Sequence, residues 1–257
     1  VTAQQQRPAD SGTVAAAPAL LGSLRLPADK SVAHRALLFT AMGSGSAEIR
    51  LDRPGDDVLS MARALRTIGA VRAIDSDASG LIHVTVRGGG TPAAACLPGR
   101  GDETLDCGNA GTAMRLLSGA LGARAATATL TGDESLSSRP MERIAAPLRA
   151  AGVDVTTTHG HAPIVIRGHR PLQAVDHQLP VASAQVIGCL ALAALAARGT
   201  TTITVPGPTR DHTERMLAWL GAPVRREGPL TTVDGPAGFT VRDISVPGDI
   251  SSAAAWL

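Results

Sequence analysis

The stretch LDCGNAGTAMRLLSGALGA, Leu105–Ala123, decides the fold of this chain. Met114, Leu117 and Leu121 recur at the spacing of a buried helical face, and Asn109, Gly111 and Thr112 stand where that run opens. Small residues leave the first helical turn accessible, and Arg115 lies one turn inside it. Backbone N–H groups without partners at a helix start, beside an arginine, suit an anion. Gly111 matters for what it lacks, because a side chain there would narrow the space over the helix end.

Outward from this stretch the same arrangement recurs on both sides. Towards the N-terminus, Lys30 and Ser31 lead into a helical period over Val32–Met42 that ends at Gly43. A strand over Ser44–Ile49 follows, then a helix capped by Asp56 and closed by Gly69, then strands at Val71–Ile74 and Leu81–Val86. Beyond the central helix come a strand at Thr127–Leu130 and a helix opened by Arg139–Pro140–Met141 and closed by Gly152. Strands at Val153–Thr157 and Pro163–Ile166 complete that set, with His159 and His161 in the turn between them. A third pass has a helix over Ala184–Ala197 ended by Gly199 and a strand at Thr200–Val205. Its second helix is capped by Asp211 with Glu214 completing a capping box, and strands follow near Leu230–Val233 and Phe239–Val241.

The endings ALRTIGA, PLRAAGV and MLAWLGA read as copies of one unit. That unit is helix, strand, helix, strand, strand, about 70–80 residues long, and repeats of this length pack their apolar helices against one another. The expected class is α/β (α+β), with three helix N-termini around one mouth. Leu20–Leu26, closed by Pro27, reads as a further strand, and Asp249 as the cap of a helix starting near Ile250.

Composition excludes several functions. Charged residues are 18% of the chain and the net charge is +2, which disfavours a field-driven nucleic-acid binder. Two Phe, two Trp and no Tyr leave few platforms for stacking bases. Three scattered cysteines show neither metal spacing nor a disulfide framework, and fit a reducing, cytoplasmic setting. Val186–Ala197, the most apolar run, is too short to span a bilayer, and Val1–Ala19 reads as a small-residue tail. The His159-x-His161 pair has no cysteine or carboxylate beside it, so no metal site is read and no cofactor is expected.

Polar residues gather at the helix openings. Lys30, Ser31 and Arg35 can capture phosphate or carboxylate, or can be a capped helix with solvated charges. Arg139 sits at a helix start, where a cation is disfavoured by the dipole unless an anion is also present. Ser183, Ala184 and Gln185 open the most apolar helix, with a hydroxyl and an amide that could bind an oxygen-rich ligand or simply cap and solvate it. Arg210 is left to face the mouth once Asp211 caps its helix. This Lys, Arg, Ser, Gln and Asn set fits a small substrate bearing several anionic groups and hydroxyls.

At these residues the chain resembles the 5-enolpyruvylshikimate-3-phosphate synthase family of enolpyruvyl transferases. The matching stretches are LPADKSVAHRALL (Leu26–Leu38), LDCGNAGTAMRLLSGAL (Leu105–Leu121), LTGDESLSSRPM (Leu130–Met141), LPVASAQV (Leu179–Val186), PTRDHTERML (Pro208–Leu217) and VPGDISSAA (Val246–Ala254). The resemblance implies an inside-out domain of three βαβαββ units over residues 27–245. Residues 1–26 and 246–257 would then belong to a second, similar domain. It implies transfer of the enolpyruvyl group of phosphoenolpyruvate to the 5-hydroxyl of shikimate-3-phosphate, without a cofactor, by an enzyme that is monomeric at full length.

By motif, Lys30 matches the lysine touching both substrates. Ser31, Arg35, Ser183, Ala184, Gln185 and Arg210 match the shikimate-3-phosphate side, and Asn109, Gly111 and Arg139 the phosphoenolpyruvate side. Lys30 and Arg139 are the catalytic candidates. Glycine at Gly111 resembles the form sensitive to the inhibitor glyphosate. The family's acid/base aspartate and glutamate lie beyond Leu257, so these residues alone are expected to bind shikimate-3-phosphate weakly and turn over poorly. The alternatives are the sister transferase acting on UDP-N-acetylglucosamine, or a non-catalytic fragment needing its other half. The RNA 3′-phosphate cyclases share the module but fit the weak net charge poorly.

Overall fold

The computed structural model describes residues 22–99 and 101–254. Three units of like build follow one another. The first comprises α1 (Lys30–Met42), β1 (Ser46–Asp52), α2 (Asp56–Thr67), β2 (Val71–Ser76) and β3 (Leu81–Arg87). The second comprises β4 (Glu103–Asp106), α3 (Gly111–Gly122), β5 (Thr127–Thr131), the short α4 (Glu134–Ser137), α5 (Glu142–Ala150), β6 (Asp154–Thr158) and β7 (His161–Arg167). The third comprises β8 (Leu172–Gln173), β9 (Asp176–Gln178), α6 (Ala184–Ala194), β10 (Ala197–Thr204), α7 (His212–Trp219), β11 (Val224–Glu227) and β12 (Leu230–Gly235). β13 (Ile244–Ser245) and α8 (Ile250–Ala253) end the described chain.

Each unit makes its own sheet with one topology: β4-β5-β7-β6 in the second unit and β8-β10-β12-β11 in the third, where β9 also pairs with β10. In both, the leading strand runs parallel to its neighbour, as β9 does to β10, and the remaining pairs are antiparallel. Among the described residues the first unit has no leading strand before α1. β13 supplies it from the far end of the chain, pairing in parallel with β1 through Ile49↔Ile244 and giving the order β13-β1-β3-β2. The three units therefore close into a ring rather than a linear stack.

Burial explains why the helices lie inside and the sheets outside. β1 and β7 alternate buried and more exposed residues, as a sheet with one solvated face must. α1, α3 and α6 are instead apolar or small almost all round and are buried along nearly their whole length. Small residues let their backbones meet: a Cβ added at Gly119 of α3 would lie 1.9 Å from the Cys189 carbonyl oxygen of α6. Among the described residues no helix is long and apolar enough to cross a membrane.

Several local expectations need correction. α2 has Gly55 as its cap, with Asp56 and Asp57 in the first turn, where acidic groups favour the helix dipole. Arg139–Pro140–Met141 leads into α5 from ahead of its first turn, with Met141 at the cap position and the helix starting at Glu142, while Asp133 caps the short α4. α6 stops at Ala194, and Gly199 sits inside β10 at φ 104°. Phe239–Val241 forms no strand beyond one bridge from Thr240 to Ser44. Leu20 lies outside the described residues, as does Leu21, and residues 22–26 are irregular. Pro27–Asp29 instead pairs with Pro247–Asp249, through Asp29 N to Pro247 O at 2.8 Å and Asp249 N to Pro27 O at 2.8 Å.

Candidate functional site

The ring topology sets the helix N-termini side by side. Gly188 of α6 marks the junction: a Cβ there would lie 2.7 Å from Leu116 of α3, 2.9 Å from the Thr213 hydroxyl of α7 and 3.7 Å from the Arg35 guanidinium of α1. α2 joins the same rim, because Lys30 at the start of α1 pairs with Asp57 at 3.1 Å.

At the α3 mouth, Asn109 donates to Asp133 at 2.7 Å and accepts from Arg139, so all three are tied across the opening. Arg139 also donates to the Ser135 hydroxyl at 3.4 Å. Gly111 lies between two guanidinium groups, for its Cβ would stand 3.0 Å from both Arg115 and Arg139. Burial holds the Arg115 guanidinium below its ordinary pKa, and the charges of Arg139 and Arg143 add to that. Asp133 is held below the usual carboxylate range by the Leu136 N–H first, then by the Asn109 amide and the Arg139 charge. Crowded cations of this kind favour a bound anion.

The α6 mouth is linked directly to the α3 mouth. Gln185 accepts from Arg115 at 2.8 Å through Oε1 and donates to the Thr112 hydroxyl at 2.9 Å through Nε2. Both ends of the amide are thereby fixed. Ser183 caps α6, accepting from Val186 N at 3.4 Å, and Ala184 begins the helix.

At the α1 mouth, Asp29 accepts from Val32 N at 2.9 Å and caps the helix. Lys30 is exposed, whereas Arg35 is buried and donates to Thr213 Oγ1 at 2.8 Å and to the Ser31 carbonyl at 3.0 Å. Burial lowers the Arg35 pKa to about 10; Glu214 and Asp29 raise it, and Arg210 lowers it. The group stays cationic at neutral pH. His34 is buried and its Nδ1 lies 2.7 Å from the Lys30 carbonyl, so it braces α1 and has no access to a ligand. Burial pushes its pKa down.

The sequence-derived residues thus form linked groups. Asn109, Gly111 and Arg139 meet at one mouth, Gln185 bonds into it, and Arg35 reaches the start of α7. Lys30 bonds to Asp57, and Arg210 lies exposed ahead of α7, within electrostatic reach of Arg35. Asp57, Asp133 and Thr213 escaped the sequence reading, because each looks like an ordinary first-turn or turn residue. Glu214 was assigned to a capping box and is instead buried, accepting from Arg226 at 3.0 Å and from the Thr231 hydroxyl at 3.2 Å. Asp211 stands at the cap position of α7 without a side-chain cap bond.

Three like α/β units, with Arg115 and Arg139 at the α3 mouth and Arg35 and Lys30 at the α1 mouth, define a three-repeat α/β domain. Solved structures share this architecture: two of EPSP synthase from Acinetobacter baumannii superpose with TM-scores of 0.79 and 0.78 at 42% identity, each covering 91% of this chain. The chain belongs to the EPSP synthase (3-phosphoshikimate 1-carboxyvinyltransferase) family, whose model matches residues 14–257. Curated relatives named 3-phosphoshikimate 1-carboxyvinyltransferase include one from Alkalilimnicola ehrlichii, 46% identical over 93% of this chain. Another, from Acidithiobacillus ferrooxidans, is 44% identical over 93% of it. The chain spans about half the length of these relatives, 52% and 53% respectively. Their names disfavour the UDP-N-acetylglucosamine alternative.

Proposed function

We propose that this chain carries the shikimate-3-phosphate-binding part of a 3-phosphoshikimate 1-carboxyvinyltransferase. The observation that carries the reading is the Arg115–Gln185–Thr112 bridge, which joins the α3 and α6 mouths and so supports assigning neighbouring ligands to them. Ser31, Arg35, Ser183, Ala184, Gln185 and Arg210 would take shikimate-3-phosphate. Asn109, Gly111 and Arg139 would take phosphoenolpyruvate, and Lys30 would reach both.

The reaction adds the 5-hydroxyl of shikimate-3-phosphate to C2 of phosphoenolpyruvate, the hydroxyl losing its proton as C3 gains one, and then expels phosphate from C2 with loss of a proton from C3, restoring the double bond. Lys30 and Arg139 fit the task of stabilising the phosphate and carboxylate charge as the tetrahedral intermediate forms. Lys30 can leave Asp57 at little cost, since an exposed ion pair contributes about 1 kcal/mol or less. Holding both reactants on one rim contributes the gain of proximity. Glyphosate as an inhibitor at Gly111, a cytoplasmic setting and a monomeric full-length enzyme belong to the same proposal, as does poor turnover by these residues alone.

Calorimetry with shikimate-3-phosphate tests the reading. Wild-type chain is expected to bind one equivalent, and Arg210→Ala to bind at least tenfold more weakly. Wild type that binds UDP-N-acetylglucosamine but not shikimate-3-phosphate would contradict it.

A further inference from the structure

We propose that His161 is a positioning residue for Arg139, fixing from the β6–β7 hairpin the main-chain point from which this guanidinium reaches the α3 mouth. The inference rests on the reading of Arg139 as a phosphoenolpyruvate ligand. His161 is half-buried at the start of β7, and its Nδ1 lies 3.1 Å from the Arg139 carbonyl oxygen. A carbonyl only accepts, so the proton of this bond sits on Nδ1. Arg139 stands in the link between α4 and α5, and Pro140 after it has no N–H. Among the described residues no backbone N–H reaches the Arg139 carbonyl, which leaves His161 as its donor.

Two further bonds fasten the same link to the same hairpin. Met141 N donates to the Gly160 carbonyl at 2.8 Å, and the Thr157 hydroxyl of β6 donates to the Glu142 carboxylate at 2.7 Å. The hairpin is a firm abutment, because the tight loop His159–Gly160, with φ 52° and 82°, joins the paired residues Thr158 and His161. At its far end the Arg139 guanidinium is tied to Asn109 and Ser135. The Arg139 N–H bonds the Leu136 carbonyl of α4 at 3.1 Å, so His161 is what joins this residue directly to the second sheet. Arg139 is thus held at its base by the sheet and at its tip by the mouth. Removing the His161 bond frees the base and leaves the guanidinium without a fixed origin.

The test titrates phosphoenolpyruvate into the chain saturated with shikimate-3-phosphate, followed by NMR at the Asn109 and Gly111 amides. Shikimate-3-phosphate affinity is measured separately by calorimetry. His161→Leu is expected to bind phosphoenolpyruvate about tenfold more weakly, the scale of one lost hydrogen bond, with shikimate-3-phosphate affinity within about twofold of wild type. His161→Asn is expected to match wild type, since asparagine carries its amide nitrogen on Cγ, where histidine carries Nδ1. A merely structural brace would weaken both ligands alike. That result, or an equal loss of phosphoenolpyruvate affinity in His161→Asn and His161→Leu, would overturn the inference. If His161→Leu does not fold, His161→Gln replaces it with the same outcomes, because its amide nitrogen lies further along the side chain. Wild type that does not bind phosphoenolpyruvate would defeat the reading of Arg139 and this inference with it, whereas wild-type affinity in His161→Leu defeats the inference alone.

Discussion

Gly111 and Gly119 lie on one helix, about two turns apart, and their surroundings are opposite. At Gly119 a Cβ would strike the backbone of α6, at 1.9 Å from the Cys189 carbonyl oxygen. At Gly111 it would meet only the ends of two arginine side chains, at 3.0 Å, and the Leu136 methyl at 3.5 Å. Backbone cannot give way there, while flexible guanidinium groups can. One glycine therefore holds the inner helices together, and the other keeps a mouth open. The comparison teaches that glycine in this helix serves packing at the waist and ligand access at the rim.

Alanine at each position separates the two roles. Gly119→Ala is expected to destabilise the fold by about 3 kcal/mol or more, since overpacking against backbone cannot relax by a rotamer change. A denaturation midpoint within error of wild type would show that α3 and α6 are not in backbone contact. The mouth comes next. Arg35→Gln, which removes a buried cation at the α1–α7 junction, is expected to weaken shikimate-3-phosphate binding about a hundredfold, or about 2.7 kcal/mol. Equal affinity by calorimetry would move the phosphate away from that junction.

Gly111→Ala should change stability by less than about 1 kcal/mol, because alanine's better helix propensity offsets the crowding. It should nonetheless weaken glyphosate binding several-fold in the presence of shikimate-3-phosphate, with the shikimate-3-phosphate affinity itself nearly unchanged. A loss confined to stability would make the rim glycine a second packing residue. The smallest effect is expected at Asp133. Its folded pKa is depressed by the Leu136 N–H, the Asn109 amide and the Arg139 charge. Its contribution is therefore complete above the unfolded value of about 4 and lost as pH falls through the lower folded value. Asp133→Asn should flatten the acid limb of the stability curve below about pH 4, and an unaltered limb would remove Asp133 from that account.

Much of this architecture was legible because periodicity and repetition reinforce each other. α1, α3 and α6 declare themselves by small and apolar residues, and the ALRTIGA, PLRAAGV and MLAWLGA endings place the second helix of each unit. The leading strands were harder. β8, β9 and β13 are two or three residues long and depend on partners distant in sequence, so no local pattern marks them. β13 in particular closes the ring only because Ile244 finds Ile49.

The site shows the same division. Asn109, Gly111, Arg139 and Gln185 stand at helix openings where residue type alone suggests a ligand, and the structure brings these four together. Arg210 and Lys30 share the rim without bonding to them. Glu214 was misjudged because an acidic residue three positions after a cap fits a capping box equally well. Only the fold reveals that Arg226 and Thr231 hold it from the neighbouring sheet.

The most direct test is a crystal structure of this chain soaked with shikimate-3-phosphate. The expected result is one molecule on the rim, its phosphate within about 3 Å of Ser183 and Arg210 and its ring against Gln185. Occupancy on another face, with the α1, α3 and α6 mouths left vacant, would contradict the account.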